Sequence, residues 1–113
     1  MAKKKHGHPQ FYEILKDLGD LHSRKNHDYA SGGNALGNFQ RVAKILEMYP
    51  GLKLSSPTVV AVIYALKQLD ATLWMLSNGH LAQVEGISSR LQDVAVYSIL
   101  EMILNEEELC DQS

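Results

Sequence analysis

Apolar and polar positions recur with a helical rather than a strand period along nearly the whole chain, and the pattern predicts an all-α fold of about four helices. The first covers Pro9 to Asn26, where Phe11, Ile14, Leu15, Leu18 and Leu21 recur three and four apart and Pro9 suits a first turn. Between His27 and Gly37 the period is lost among Ser31, Gly32, Gly33, Asn34 and Gly37, which predicts an irregular loop. A second helix is expected from Asn38 to Tyr49, with Phe39, Val42, Ile45 and Leu46 as its stripe and Pro50-Gly51 as its stop. Ser55-Ser56-Pro57 then supplies a capping hydroxyl and a first-turn proline for a helix over Pro57 to Ser77, and Asn78-Gly79 tolerates the left-handed exit. After a turn through His80 to Val84, a fourth helix runs from near Glu85 to about Asn105. Residues 1–8 read as a basic tail and 106–113 as an acidic one, which leaves 9–105 as a single domain.

Helices three and four change this picture from four ordinary helices to an assembly. Val59, Val62, Ile63, Leu66, Leu69, Leu73 and Leu76 form one core stripe, but Val60, Tyr64, Lys67, Ala71 and Trp74 form a second. From Val94 to Leu104 the fourth helix is apolar almost all round. Four helices can hardly cover that much apolar surface alone, so the expectation is a long hairpin of helices three and four inside a homo-oligomeric bundle.

Composition removes several function classes. With 113 residues and a formal net charge of -2, the chain lacks the broad positive field on which duplex nucleic-acid binding depends. Lys3, Lys4 and Lys5 read as a solvated tail. Cys110 is the single cysteine, so no intramolecular disulfide forms and a reducing, cytoplasmic setting fits. The most apolar stretch, Val59 to Leu76, carries Lys67, Gln68 and Asp70 at its centre. Each charge would cost roughly 2.5–3.5 kcal/mol in lipid, so this reads as a core helix and no membrane partner is expected.

Two constellations carry candidate chemistry. In a hairpin of helices three and four, Lys67 and Asp93 sit at nearly the same level, and Arg90, Asp93 and Tyr97 share one face. A cation, a carboxylate and a phenol there suit a phosphorylated ligand; a buried Lys67–Asp93 ion pair is the structural alternative. The second is Lys25, Asp28 and Tyr29, followed by Asn38 and Phe39, which offers charge, hydrogen bonds and rings able to stack on a base. A capped loop packing its aromatics inward explains the same residues. The histidines show no metal-ligand spacing, and neither a P-loop nor a dinucleotide fingerprint occurs.

The string Lys25-Asn26-His27-Asp28-Tyr29-Ala30, then glycines, then Asn38-Phe39, resembles the K-x-x-D-Y-(A/G)... N-F opening of small phage-type proteins associated with nucleotide modification. Leu66-Lys67 and Asp93-Val94-Ala95-Val96-Tyr97 resemble that group's later K and D-x-x-x-Y signatures, so the likeness runs in order from about Phe11 to Leu104. The group is similar in helical layout to the MazG-like all-α nucleoside triphosphate pyrophosphohydrolases, which hold Mg²⁺ on E-x-x-E and E-x-x-D pairs. Here the pattern departs: helix three offers Lys67 and Asp70, the E-x-x-D place reads Arg90-Leu91-Gln92-Asp93, and the acidic run Glu106 to Glu108 reads as a solvated end. The resemblance implies a nucleotide or nucleoside triphosphate as partner, in the cytoplasm of a bacterial or phage-infected cell. It places Lys25 and Lys67 on phosphate, and Asp28 and Asp93 on a Mg²⁺ ion or a water. Asn38 and Tyr29 or Tyr97 would hold the ligand, with Lys67 and Asp93 carrying any conversion to monophosphate and pyrophosphate. The alternative is a non-enzymatic helical oligomer acting through protein contacts, such as a phage accessory protein.

Overall fold

Ser56 has extended backbone, its hydroxyl accepts the Val59 N–H at 3.3 Å, and Pro57 occupies the first turn, so the third helix starts at the cap that the sequence offers. It ends at Gly79, whose φ of 61° is the left-handed exit expected of Asn78-Gly79. The computed structural model describes residues 5–30, 34–79 and 86–111, with side chains for 5–27, 34–79 and 86–111. Among the described residues there are four helices and no strand: α1 Pro9–Ala30, α2 Gly37–Glu47, α3 Pro57–Asn78 and α4 Ile87–Asp111.

Two boundaries move by more than two residues. His27 to Ala30, expected in a loop, continue α1, and His27 in its last turn suits the negative end of the helix dipole. At the other end α4 runs six residues past Asn105 to Asp111, because the acidic run has work within the fold. Glu108 accepts hydrogen bonds from the Ser56 hydroxyl at 2.8 Å and the Thr58 N–H at 2.9 Å, so the end of α4 caps the start of α3. Glu108 is therefore not part of a solvated tail. The turn His80 to Val84, Glu85, the first four residues and the last two lie outside the described residues.

α3 and α4 pack closely as a hairpin, and the burial pattern shows how. On α4 the residues at least partly covered include Arg90, Val94, Tyr97, Glu101, Leu104 and Glu108, spaced four and three apart. The matching series on α3 is Thr58, Ala61, Ala65, Gln68, Thr72 and Met75. Both are heptad seams, built on α3 from small and polar side chains up to Met75, which is 1% exposed. Arg90, only 1% exposed, donates to Gln68 at 2.8 Å, and Tyr64 meets Tyr97 edge to face with ring centroids 6.0 Å apart.

The leucines are elsewhere. Val62, Leu66, Leu69, Leu73 and Leu76 each stand one residue after a seam position of α3; Leu73 is 66% exposed and Leu76 60%. The expected core stripe is thus largely uncovered within one chain, for a plain reason: α3 is apolar on three sides, α4 takes one and α2 with α1 takes another. Phe11, Ile14, Leu15 and Leu18 on α1 are exposed as well. The molecule extends over 68 × 38 × 25 Å with a radius of gyration of 18.6 Å, against about 13 Å for a compact domain of this length. Its surface of 8623 Å² compares with about 6,200 Å² for a compact monomer of the same mass.

Candidate functional site

The C-terminal half of α1 and the start of α2 meet α3 around its middle, and there the polar side chains converge. Asp70 on α3 is 7% exposed and takes a two-pronged contact from Arg41: Nε to one carboxylate oxygen and Nη2 to the other, both at 2.8 Å. Asn38 Nδ2 adds a third bond to Asp70 at 2.7 Å and also reaches the Lys67 carbonyl at 3.2 Å. The Arg41 guanidinium lies 4.6 Å from the centroid of the Trp74 ring, which holds its plane. Gly37 makes this posture available, since a Cβ there would stand 2.7 Å from Arg41 Nη1. The first effect of the arrangement is on Arg41, whose pKa rises through its hydrogen bonds to the Asp70 side chain. The sequence marks Asn38 for a ligand and offers Asp70 only as one of several acids that could serve a cation, and it gives no sign of Arg41. A lone arginine on a short helix carries no pattern to mark it.

This ion pair forms the floor beneath two adjoining clefts. One, of about 160 Å³, is lined by His22, Lys25, Asn26, Ala35, Asn38, Phe39 and Lys67. The other, of about 260 Å³, is lined by Asn38, Phe39, Val42, Ala43, Leu46, Ile63, Tyr64 and Lys67. Asn38, Phe39 and Lys67 belong to both, so the clefts form one groove with a cationic end and an apolar end. The Lys67 ammonium is 5.9 Å from the centroid of the exposed Phe39 ring. Asn38 is 6% exposed, and its Oδ1 is buried with no hydrogen-bond partner among the described residues. Such an oxygen costs about 1–3 kcal/mol until a donor reaches it.

The candidate residues therefore divide. Lys25, Asn38 and Lys67, with Phe39, share the groove although they come from α1, α2 and α3. Asp93 and Tyr97 do not line it: both are on α4, where Tyr97 packs on Tyr64. Lys67 and Asp93 have similar levels along the hairpin, but the α3 residue that meets Arg90 is Gln68, one position and about 100° round the helix from Lys67. The side chains of Asp28 and Tyr29 lie outside the described residues.

Mg²⁺, implied by the MazG resemblance, asks for several carboxylate oxygens around one point. Asp70 has both oxygens engaged by Arg41 and Asn38, and Asp93 stands off the groove. Among the described residues no three His, Cys, Asp or Glu side chains cluster to hold a metal ion. Of the two candidate ligands, Asp93 thus stands apart from Asp70, and the side chain of Asp28 lies outside the described residues. Compared with protein-family models, with curated proteins and with solved structures, the chain gives no match.

Proposed function

We propose that the chain binds a phosphorylated nucleotide in the groove between α1, α2 and α3. The observation that carries this reading is the junction of two unlike ends: Lys25 and His22 at one, Ile63, Leu46 and Tyr64 at the other, with Phe39, Asn38 and Lys67 between. Lysines suit phosphate oxygens as point charges. The exposed Phe39 ring offers a stacking surface for a base, and Asn38 lies beneath it in the groove wall. Binding is the activity we assign, and pyrophosphate release is the reaction to assay once a ligand is known.

The test is calorimetric titration of the full chain with nucleoside mono-, di- and triphosphates and with inorganic triphosphate. Binding should strengthen with phosphate number and weaken with salt. Lys25→Ala with Lys67→Ala should weaken it by about tenfold or more, and Phe39→Ala should lose the nucleoside's share, about 1–3 kcal/mol, while sparing inorganic triphosphate. Absence of heat with every nucleotide at millimolar concentration sinks the reading. That result would favour an interaction protein without a small ligand, which draws on the uncovered faces of α1, α3 and α4.

A further inference from the structure

We infer that the α3 leucine ridge is a subunit interface, and that a second copy of this chain covers it. The argument starts from which seam the chain spends on itself. Ala61, Ala65, Gln68, Thr72 and Met75 join α3 to α4, while of the more strongly apolar series one residue on, Leu66 is half-buried and Val62, Leu69, Leu73 and Leu76 are exposed. Val62, Leu66, Leu69, Leu73 and Leu76 keep the four-three spacing without a polar break over 15 residues, the signature of a surface that receives another helix knobs-into-holes.

In an antiparallel pair, positions one residue after the shared seam fall on the same side of both helices. On α4 those positions are Leu91, Ala95, Ser98, Met102, Asn105 and Leu109, of which Leu91, Met102 and Leu109 are 46%, 68% and 57% exposed. The α3 ridge is therefore flanked on α4 by an apolar row that Ser98 and Asn105 interrupt. Two such faces, related by a two-fold axis, complete a four-helix bundle with leucines at its centre.

Area selects a second copy over a smaller occupant. The surface of 8623 Å² exceeds that of a compact chain of this mass by about 2,400 Å², a share of which belongs to α1 and the rest of α4, so a symmetric pair that buried half of the excess would hide about 2,400 Å². That lies in the range of obligate homodimers, about 2,000–5,000 Å². The fit is also isologous by construction, since one ridge of fixed spacing meets itself.

The experiment is sedimentation equilibrium of the full chain, wild type and variants, with far-ultraviolet circular dichroism on each sample. Wild type should sediment at a multiple of its 12.6 kDa mass at micromolar concentration. Leu73→Glu should raise the dissociation constant at least a hundredfold, and Leu54→Glu, equally exposed but off the hairpin, should leave it within threefold. If Leu73→Glu unfolds, Leu69→Cys in a Cys110→Ser background gives an independent readout: oxidation should link two chains through the middle of the ridge. A wild-type species of one chain at 100 µM (about 1.3 mg/ml), or one kept in solution only by detergent, overturns the inference. So does equal dissociation by Leu54→Glu, or failure of the Leu69→Cys protein to cross-link.

Discussion

Asp70 is the residue on which the site depends, because its two carboxylate oxygens hold Arg41 and Asn38 at once. Replacing it by alanine leaves Arg41 charged beside Trp74 and frees the Asn38 amide from its strongest acceptor. Loss of one partner of a fully buried pair costs about 3–5 kcal/mol, but the Arg41 side chain is 34% exposed and water would take up part of the loss. We expect Asp70→Ala to cost about 2–3 kcal/mol in urea unfolding. Arg41→Lys should cost about 1 kcal/mol, since an ammonium cannot reproduce two parallel bonds. Both variants should also weaken ligand binding, because Asn38 takes its place in the groove from the same carboxylate. Unchanged urea midpoints for Asp70→Ala would mean that the cluster is ornamental to stability.

At the scale of elements, the hairpin is closed at its open end by a side chain fifty residues away from its target. Glu108 holds its pKa below the ordinary carboxylate value, first through the Thr58 N–H and then through the Ser56 hydroxyl. A depressed folded pKa stabilises above the unfolded value of about 4.3, and this contribution disappears as pH falls through the folded value. Wild type should therefore be more stable than Glu108→Gln at pH 6–8, and the two should converge below about pH 4, as thermal melts across that window would show. Ser56→Ala removes the cap hydroxyl and should cost about 1 kcal/mol. A constant gap between wild type and Glu108→Gln down to pH 3 would argue that charge is not what the cap uses. The same end of the hairpin shows what the sequence could reveal. Ser56-Pro57 and Asn78-Gly79 are local signals, so both ends of α3 were legible. Glu108 was not, because its partners lie across the fold and an acidic triplet near a terminus looks like any wet end. The period of α3 and α4 was legible too, but not the choice of face. Apolarity ranks the leucines as core, whereas the packing uses Ala65 and Gln68, and only the presence or absence of another helix decides between those faces. In the groove, Lys25, Asn38 and Lys67 were each named from motif and register, yet their meeting depends on how α1 and α2 cross α3. Arg41 and Asp70 were hidden for the same reason.

For the whole molecule, an open and elongated chain makes stability a property of concentration. Among the described residues of one chain the buried hydrophobic ones are Val42, Ala65, Ala71 and Met75, a small core for a domain of this length. If the leucine face is buried only between copies, folding and association are one equilibrium, and mass action enters the melting temperature. Unfolding of two chains of this size carries an enthalpy of about 160 kcal/mol near 60 °C, and a tenfold dilution removes about 1.5 kcal/mol of association free energy. The midpoint should then fall by about 3 °C per tenfold dilution between 100 and 1 µM, which scanning fluorimetry resolves using Trp74. Leu73→Glu should flatten that dependence while lowering the midpoint. The groove lies on the α1 and α2 side of α3, away from the ridge, so a bound nucleotide should raise the midpoint by a similar amount at each protein concentration when its free concentration is held fixed. A concentration-independent midpoint in wild type would place the missing burial within a single chain. A nucleotide effect that vanished on dilution would instead tie the groove to the interface.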